Sequence, residues 1–167
     1  MQDALDRADR SEWALPLGYN FNETFDCWVR QSGHPVIYLN SENDEITISQ
    51  ERFMHFGTDL DKPESSFGYR WNIPLSHIDE NGEYKLSWFL SDEETFKLKG
   101  KLGRDIWIDP EAYTFGRIHY TNIANLRSAI TDMCSRNIDN FPANTHLSAA
   151  KLISDQFEMA TAQYDYG

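Results

Sequence analysis

The hydrophobic pattern changes period twice along the chain. Ala4, Leu5 and Ala8 stand among charges at a helical spacing. A stretch with Pro16 and Gly18 then reads as loop. Phe25, Trp28 and Val29 recur at i, i+3 and i+4, with Asn22 as the expected N-cap and Ser32-Gly33 as the stop. From Pro35 the period becomes two. Val36 to Asn40 and Ile46 to Phe53 read as strands around a Ser41–Glu45 turn, with Ile46, Ile48 and Gln50 on one face. The run from Phe67 to Leu75 resumes extended structure, and Pro74 marks an edge or a strand end. Asp79-Glu80-Asn81-Gly82 signals a hairpin turn. Tyr84, Leu86 and Trp88 then alternate, followed by short strands at 95–100, 105–109 and 114–120.

The last third returns to a helical period. Thr121 or Asn122 can cap a helix with Ile123, Leu126, Ile130 and Met133 on its apolar side, broken at Asn140-Phe141-Pro142. Thr145 caps a second, with Leu147, Ala150, Leu152, Ile153, Phe157 and Met159 expected on the buried side. The fold class predicted is mainly β with helical flanks: an antiparallel β-sandwich between a short N-terminal helical segment and a C-terminal αα-hairpin. No helical crossover interrupts the strands, so parallel pairing is not expected. A hairpin with little to pack against would leave an apolar face for a neighbour.

Composition adds limits. The chain has 167 residues, 40% hydrophobic and 14% aromatic, enough for a packed core. The net charge of −12 argues against nucleic acid as a partner. No apolar run is long enough to span a membrane, and the charged first ten residues are not a secretory signal. Asn22-Glu23-Thr24 is a glycosylation sequon, which fits an extracellular or membrane-anchored ectodomain; a cytoplasmic setting is the alternative. The basic cluster Lys97 to Arg104 reads as a polar hairpin loop. Cys27 and Cys134 read as free thiols, too few for a disulfide framework.

Little in the sequence signals chemistry. The five histidines, His34, His55, His77, His119 and His146, form no H-E-x-x-H and no i, i+4 pair. Asp59, Asp61 and Glu64 supply part of a calcium loop but lack its glycine and its closing glutamate. The acids of Ser91 to Thr95 fall in a turn that faces water. No catalytic, cofactor-binding or metal-binding residue is assigned, and no cofactor is expected in this chain.

The order of several short motifs is more specific. Trp28, Gln31, Gly33, Pro35, Val36 and Ile37 form W-x-x-Q-x-G-x-P-V-I. Ile48, Gln50, Arg52 and Phe53 follow, then Tyr69, Trp71, Ile73 and Pro74 as Y-x-W-x-I-P. Trp107-Ile108, then Arg117, Ile118 and Tyr120, come next, and Ala149 to Ala160 closes the series. Together they resemble the aminopeptidase N-like (gluzincin) zinc metallopeptidases. The resemblance implies that residues 1–32 are the helical tail of a catalytic domain, 33–120 a β-sandwich domain, and 121–167 the start of a helical-repeat domain. It implies a non-catalytic connecting role with the neighbouring catalytic and helical domains as partners. Zinc, in that family, is held by H-E-x-x-H and a later glutamate, which have no match here. The alternative is a free-standing interaction module that binds a protein partner or itself. Trp28, Pro35, Trp71, Pro74, Trp88 and Trp107 are the core residues expected to carry the connecting role.

Overall fold

The computed structural model describes residues 15, 18–54, 64–102, 106–135 and 145–164. Helix α1 (Phe21–Val29) precedes seven strands: β1 (Pro35–Glu42), β2 (Glu45–Arg52), β3 (Ile73–Ile78), β4 (Tyr84–Phe89), β5 (Phe96–Lys99), β6 (Trp107–Ile108) and β7 (Arg117–Tyr120). Helices α2 (Ile123–Ser135) and α3 (Thr145–Tyr164) follow. The strands form two sheets, ordered β5-β2-β1-β7 and β4-β3-β6. Their inner faces meet in one core. Ile37, Leu39, Ile46 and Ile48 come from the first sheet and Ile73, Leu75 and Phe89 from the second, all with no exposed surface.

The alternation read from β2 is the burial observed: Ile46, Ile48 and Gln50 point inward. Gln50 is a polar residue on an apolar face, and its amide explains why. It donates to the Trp71 carbonyl at 2.9 Å and accepts from the Trp71 N–H at 2.8 Å. It thereby gives the segment entering β3 the partners a strand would. Trp71 is fully buried and Trp107 and Pro35 are buried, whereas Trp28, Pro74 and Trp88 are half-buried. Pro74 lies at the opening end of β3, short of the two β6 positions that pair with His77 and Ile78. Its missing N–H therefore breaks no β3–β6 bond. The predicted turn closes as expected: Asp79 Oδ1 accepts from the Asn81 and Glu83 N–H groups, and Gly82 sits at φ 80°.

Four expectations are corrected. The first sheet is mixed, because β7 pairs parallel to β1, with Val36 opposite Arg117 and Leu39 opposite Tyr120. The crossover that parallel pairing requires is supplied by the intervening chain, including the whole second sheet, rather than by a helix. The stretch from Phe67 is a turn before it is a strand: Gly68 and Tyr69 take left-handed angles of 61° and 58°, and β3 begins at Ile73. The α1 cap is Asn20, not Asn22. Asn20 Oδ1 accepts from the Glu23 N–H at 3.1 Å while Glu23 Oε2 accepts from the Asn20 N–H at 2.9 Å, a reciprocal box that places the helix start two residues earlier.

The fourth correction concerns the helix faces. α1 buries Thr24 and Cys27 and exposes Val29. α2 turns Leu126 and Ala129 inward and leaves Ile123 and Ile130 exposed. In α3 the buried positions are Ser148, Asp155, Met159 and Ala162, and Leu147, Ile153 and Phe157 are more than half exposed. The hydrophobic pattern places Leu152 and Met159 correctly but not Leu147, Ala150, Ile153 and Phe157, because the docking face of α3 also carries Ser148 and Asp155. The segment at 1–10, the Asn140-Phe141-Pro142 break and the Met133 side chain lie outside the described residues.

Trp71→Ala should destabilise the chain by about 3–5 kcal/mol, the cost of emptying a fully buried aromatic site. Urea denaturation measures it, and an unchanged midpoint would remove Trp71 from the core that joins the sheets.

Candidate functional site

The polar residues that the core does bury are concentrated where helices meet the sandwich. Asn72, on the approach to β3, is 2% exposed. Its Nδ2 donates to the carbonyls of Glu23 and Thr24 at 3.3 and 3.2 Å, within α1. Its Oδ1 accepts from the Ser91 N–H at 2.9 Å, beyond β4. Its own N–H reaches Cys27 Sγ at 3.3 Å, and its carbonyl accepts from Trp28 Nε1 at 2.8 Å. Gln31, just after α1, adds a bond to the Arg70 carbonyl at 2.8 Å. One buried amide therefore ties α1 to the second sheet through main-chain groups, the economical way to bury polarity.

The other junction is charged. β7 is the edge of the first sheet, so its outer backbone groups need partners. α3 supplies them from adjacent residues. Asp155 Oδ2 accepts from the Ile118 N–H at 3.0 Å, and Gln156 Nε2 donates to the Ile118 carbonyl at 2.8 Å. Asp155, 1% exposed, also accepts from Arg117 Nη1 at 3.1 Å and pairs with Lys151 one turn earlier. Lys151 Nζ donates to the Gly116 carbonyl at 2.9 Å and lies 3.8 Å from Asp109 Oδ2. Asp109 is itself buried and accepts from the Thr114 N–H at 3.0 Å. Arg117, Lys151 and the Ile118 amide thus surround one carboxylate, which offsets its loss of water.

Two titratable groups near these junctions are shifted by burial. Burial pushes the Tyr120 hydroxyl well above its usual range, and the Asp109 and Asp155 carboxylates push the same way. Burial also raises the Cys27 thiol, disfavouring the nucleophilic thiolate. The histidines do not converge. His34 stacks on Phe53 with centroids 5.0 Å apart, His77 is buried on β3, His119 lies against Tyr38 on β7, and His146 is exposed on α3. Among the described residues no group of three His, Cys, Asp or Glu side chains could hold a metal ion. His55, Asp59, Asp61 and the Cys134 side chain lie outside the described residues, and Glu64 is exposed. Glu93, from the acidic turn, accepts from the Leu90 N–H at 2.9 Å and so builds that turn. Of the basic cluster, Lys97 on β5 pairs with Glu45 on β2, and Lys101 pairs with Asp44 in the β1–β2 turn.

Sequence motifs contained the docking residues without revealing their task. Gln50, Trp71, Arg117 and Asp155 all sit in motifs quoted above. Asn72 lies between two motif positions, and Lys151 reads as an ordinary helical cation. Gln50, Asn72 and Asp155 share one signal, a polar residue at a position that is buried.

No protein-family profile matches the chain. Among curated proteins, it is 31% identical to the glutamyl aminopeptidase of Rattus norvegicus over 145 residues, covering 84% of this chain and 14% of that protein. It is 30% identical to the glutamyl aminopeptidase of Homo sapiens over 164 residues, 96% of this chain and 16% of that protein. It is 25% identical to the aminopeptidase N of Rattus norvegicus over 158 residues, covering 95% of this chain and 16% of that protein. The chain thus spans only a small part of the length of the relatives it matches.

The charged junction is tested at Asp155. Asp155→Ala removes the central acceptor and strands Lys151 and the Ile118 N–H, so it should cost about 3–5 kcal/mol in urea denaturation, and Asp155→Asn less. A loss within about 0.5 kcal/mol, the range of ordinary surface changes, would contradict the role given to Asp155. A second prediction concerns pH. Burial lowers the folded-state pKa of His77 below its ordinary 6.5, so the unfolded chain takes up the proton first. This histidine therefore costs no stability above that value, and stability falls as pH drops below it until the folded-state pKa is reached. His119 is shifted the same way, again chiefly by burial. The melting temperature should fall between about pH 7.5 and about pH 5.5, less steeply in His77→Gln. An equal slope in that variant would rule His77 out as a cause.

Proposed function

We propose that this chain, which belongs to the aminopeptidase N-like family, is a non-catalytic structural connector in that family's architecture. In this reading residues 1–32 end a catalytic domain, 33–120 form the β-sandwich domain, and 121–167 open a helical-repeat domain. Zinc and the groups that activate water belong to the neighbouring catalytic domain, so this chain needs no cofactor of its own. Its work is mechanical: it fixes the direction in which the helical domain leaves the sandwich.

The observation that carries this reading is the pair of buried polar junctions. Asn72 holds the helix before the sandwich, and Asp155 holds a helix after it. A connector has to transmit position, and directional hydrogen bonds restrict sliding and rotation more than apolar contact does.

A second reading, a free-standing interaction module, draws on the exposed α3 stripe. Leu147, Ile153 and Phe157 are 52%, 68% and 66% exposed. Under the connector reading, later helices cover that stripe; under the second, a protein partner or another copy does.

The test replaces the matching segment of rat glutamyl aminopeptidase with this chain. The chimera should keep zinc and turnover of a glutamyl anilide, and the chain alone should show neither. Asp155→Ala in the chimera should lower its melting temperature while zinc content stays unchanged. Turnover by the isolated chain would overturn the connector reading. Self-association of the isolated chain, abolished by Phe157→Ser, would favour the second.

A further inference from the structure

A cleft separate from both junctions opens between the β1–β2 hairpin, the Gly68–Tyr69 turn and the far end of α3. Its volume is about 780 Å³, within the size range of small-molecule sites. Val36, Phe53, Met159 and Ala162, a second and smaller hydrophobic cluster, form its apolar wall. Its polar groups include Arg52 and Arg70, and the two are used differently. Arg70 is committed to structure, donating to the carbonyls of Ser91 and Glu93. Arg52 is not. Its guanidinium lies over the Tyr69 ring, 4.1 Å from the centroid, and Nη2 donates to Ser32 Oγ at 3.0 Å. Its Nε is buried with no acceptor.

Arg52 pairs with no carboxylate among the described residues, in a chain with 27 acidic and 15 basic residues. Instead the guanidinium is held by an aromatic face, which orients it without neutralising it. Tyr69 reaches that position through a left-handed backbone angle of 58°, a conformation that costs energy for a residue other than glycine. Gly33 closes over the arginine from the other side: a Cβ there would lie 3.0 Å from Nε.

We propose that this cleft binds a monocarboxylate carried on an aromatic or aliphatic body, with Arg52 as the anchor and the Phe53–Met159 wall taking the apolar part. Exposed Glu51 also lines the cleft, and its charge disfavours a doubly charged phosphate more than a singly charged carboxylate. A free organic acid and the C-terminal residue of a peptide present the same group.

The chain, with nitrogen-labelled arginine and methyl-labelled methionine, is titrated by NMR with three probes. These are N-acetyl-L-phenylalanine, its amide, and an alanine tripeptide extended by a C-terminal phenylalanine acid. The Arg52 Nε and Met159 methyl signals should shift saturably with both acids. The tighter acid identifies the source. Affinity should fall about tenfold for the amide, and for the acids with Arg52→Gln, as loss of a charged hydrogen bond requires. Equal binding of acid and amide, or no saturable shift at either signal, would overturn the proposal. The acid–amide comparison needs no variant, so it decides the matter even if Arg52→Gln melts early.

Discussion

The Asp155 carboxylate is the point on which the second half of the structure turns. It satisfies the backbone of an edge strand, neutralises two cations and fixes one helix, all from a site with almost no exposed surface. Burying a charge in such a place is unfavourable unless its lone pairs are taken up by fixed donors. Here the donors come from different parts of the chain. Arg117 and the Ile118 amide both belong to β7, and Lys151 lies on α3 itself. Lys151 then connects this carboxylate to Gly116 and to Asp109, which orders the loop after β6 through Thr114. Docking the helix and ordering the entry to β7 are therefore one event.

The Asn72 junction achieves the same end without charge. Its amide oxygen and nitrogen both find main-chain partners, in α1 and beyond β4. A neutral amide can be satisfied wholly by peptide groups, whereas a carboxylate in the interior also calls for positive charge. That difference explains why α1 carries no basic residue toward the sandwich and α3 carries Lys151. It also sets their expected sensitivities apart, since salt and pH act on the charged junction more than on the neutral one.

The strands were readable because their code is local. Ile46, Ile48 and Gln50 alternate, Gly82 turns the next hairpin, and the period changes near Pro35 where β1 starts. The partners of those strands were not readable in the same way. Parallel pairing of β1 with β7 depends on how far the second sheet carries the chain before it returns, which no local pattern encodes. Within α3, Leu147, Ile153 and Phe157 looked like the inner face because apolar residues usually are. The true inner face places Ser148, Lys151 and Asp155 against the sheet edge, and their value exists only once β7 offers unpaired backbone. The aminopeptidase-like motif from Ala149 to Ala160 contains Lys151 and Asp155. What each residue does became visible only when its partner did.

That inversion has a structural consequence. A helix that spends its polar side on a sheet edge must turn its other side outward, and on α3 that side is apolar. α2 also leaves apolar Ile123 and Ile130 outward, although the residues it turns inward, Leu126 and Ala129, are apolar too. Apolar area left in water is a standing drive toward further association, whereas the Asp155 junction is directional and holds the helix in one orientation. The two forces therefore divide the labour between them: the buried charges decide where α3 points, and the exposed stripe supplies the adhesion for whatever packs next. An α3 docked through its apolar side would have reversed this, hiding the stripe and leaving the β7 edge open to strand pairing. The polar junction thus guards the sheet and presents the helix in a single arrangement.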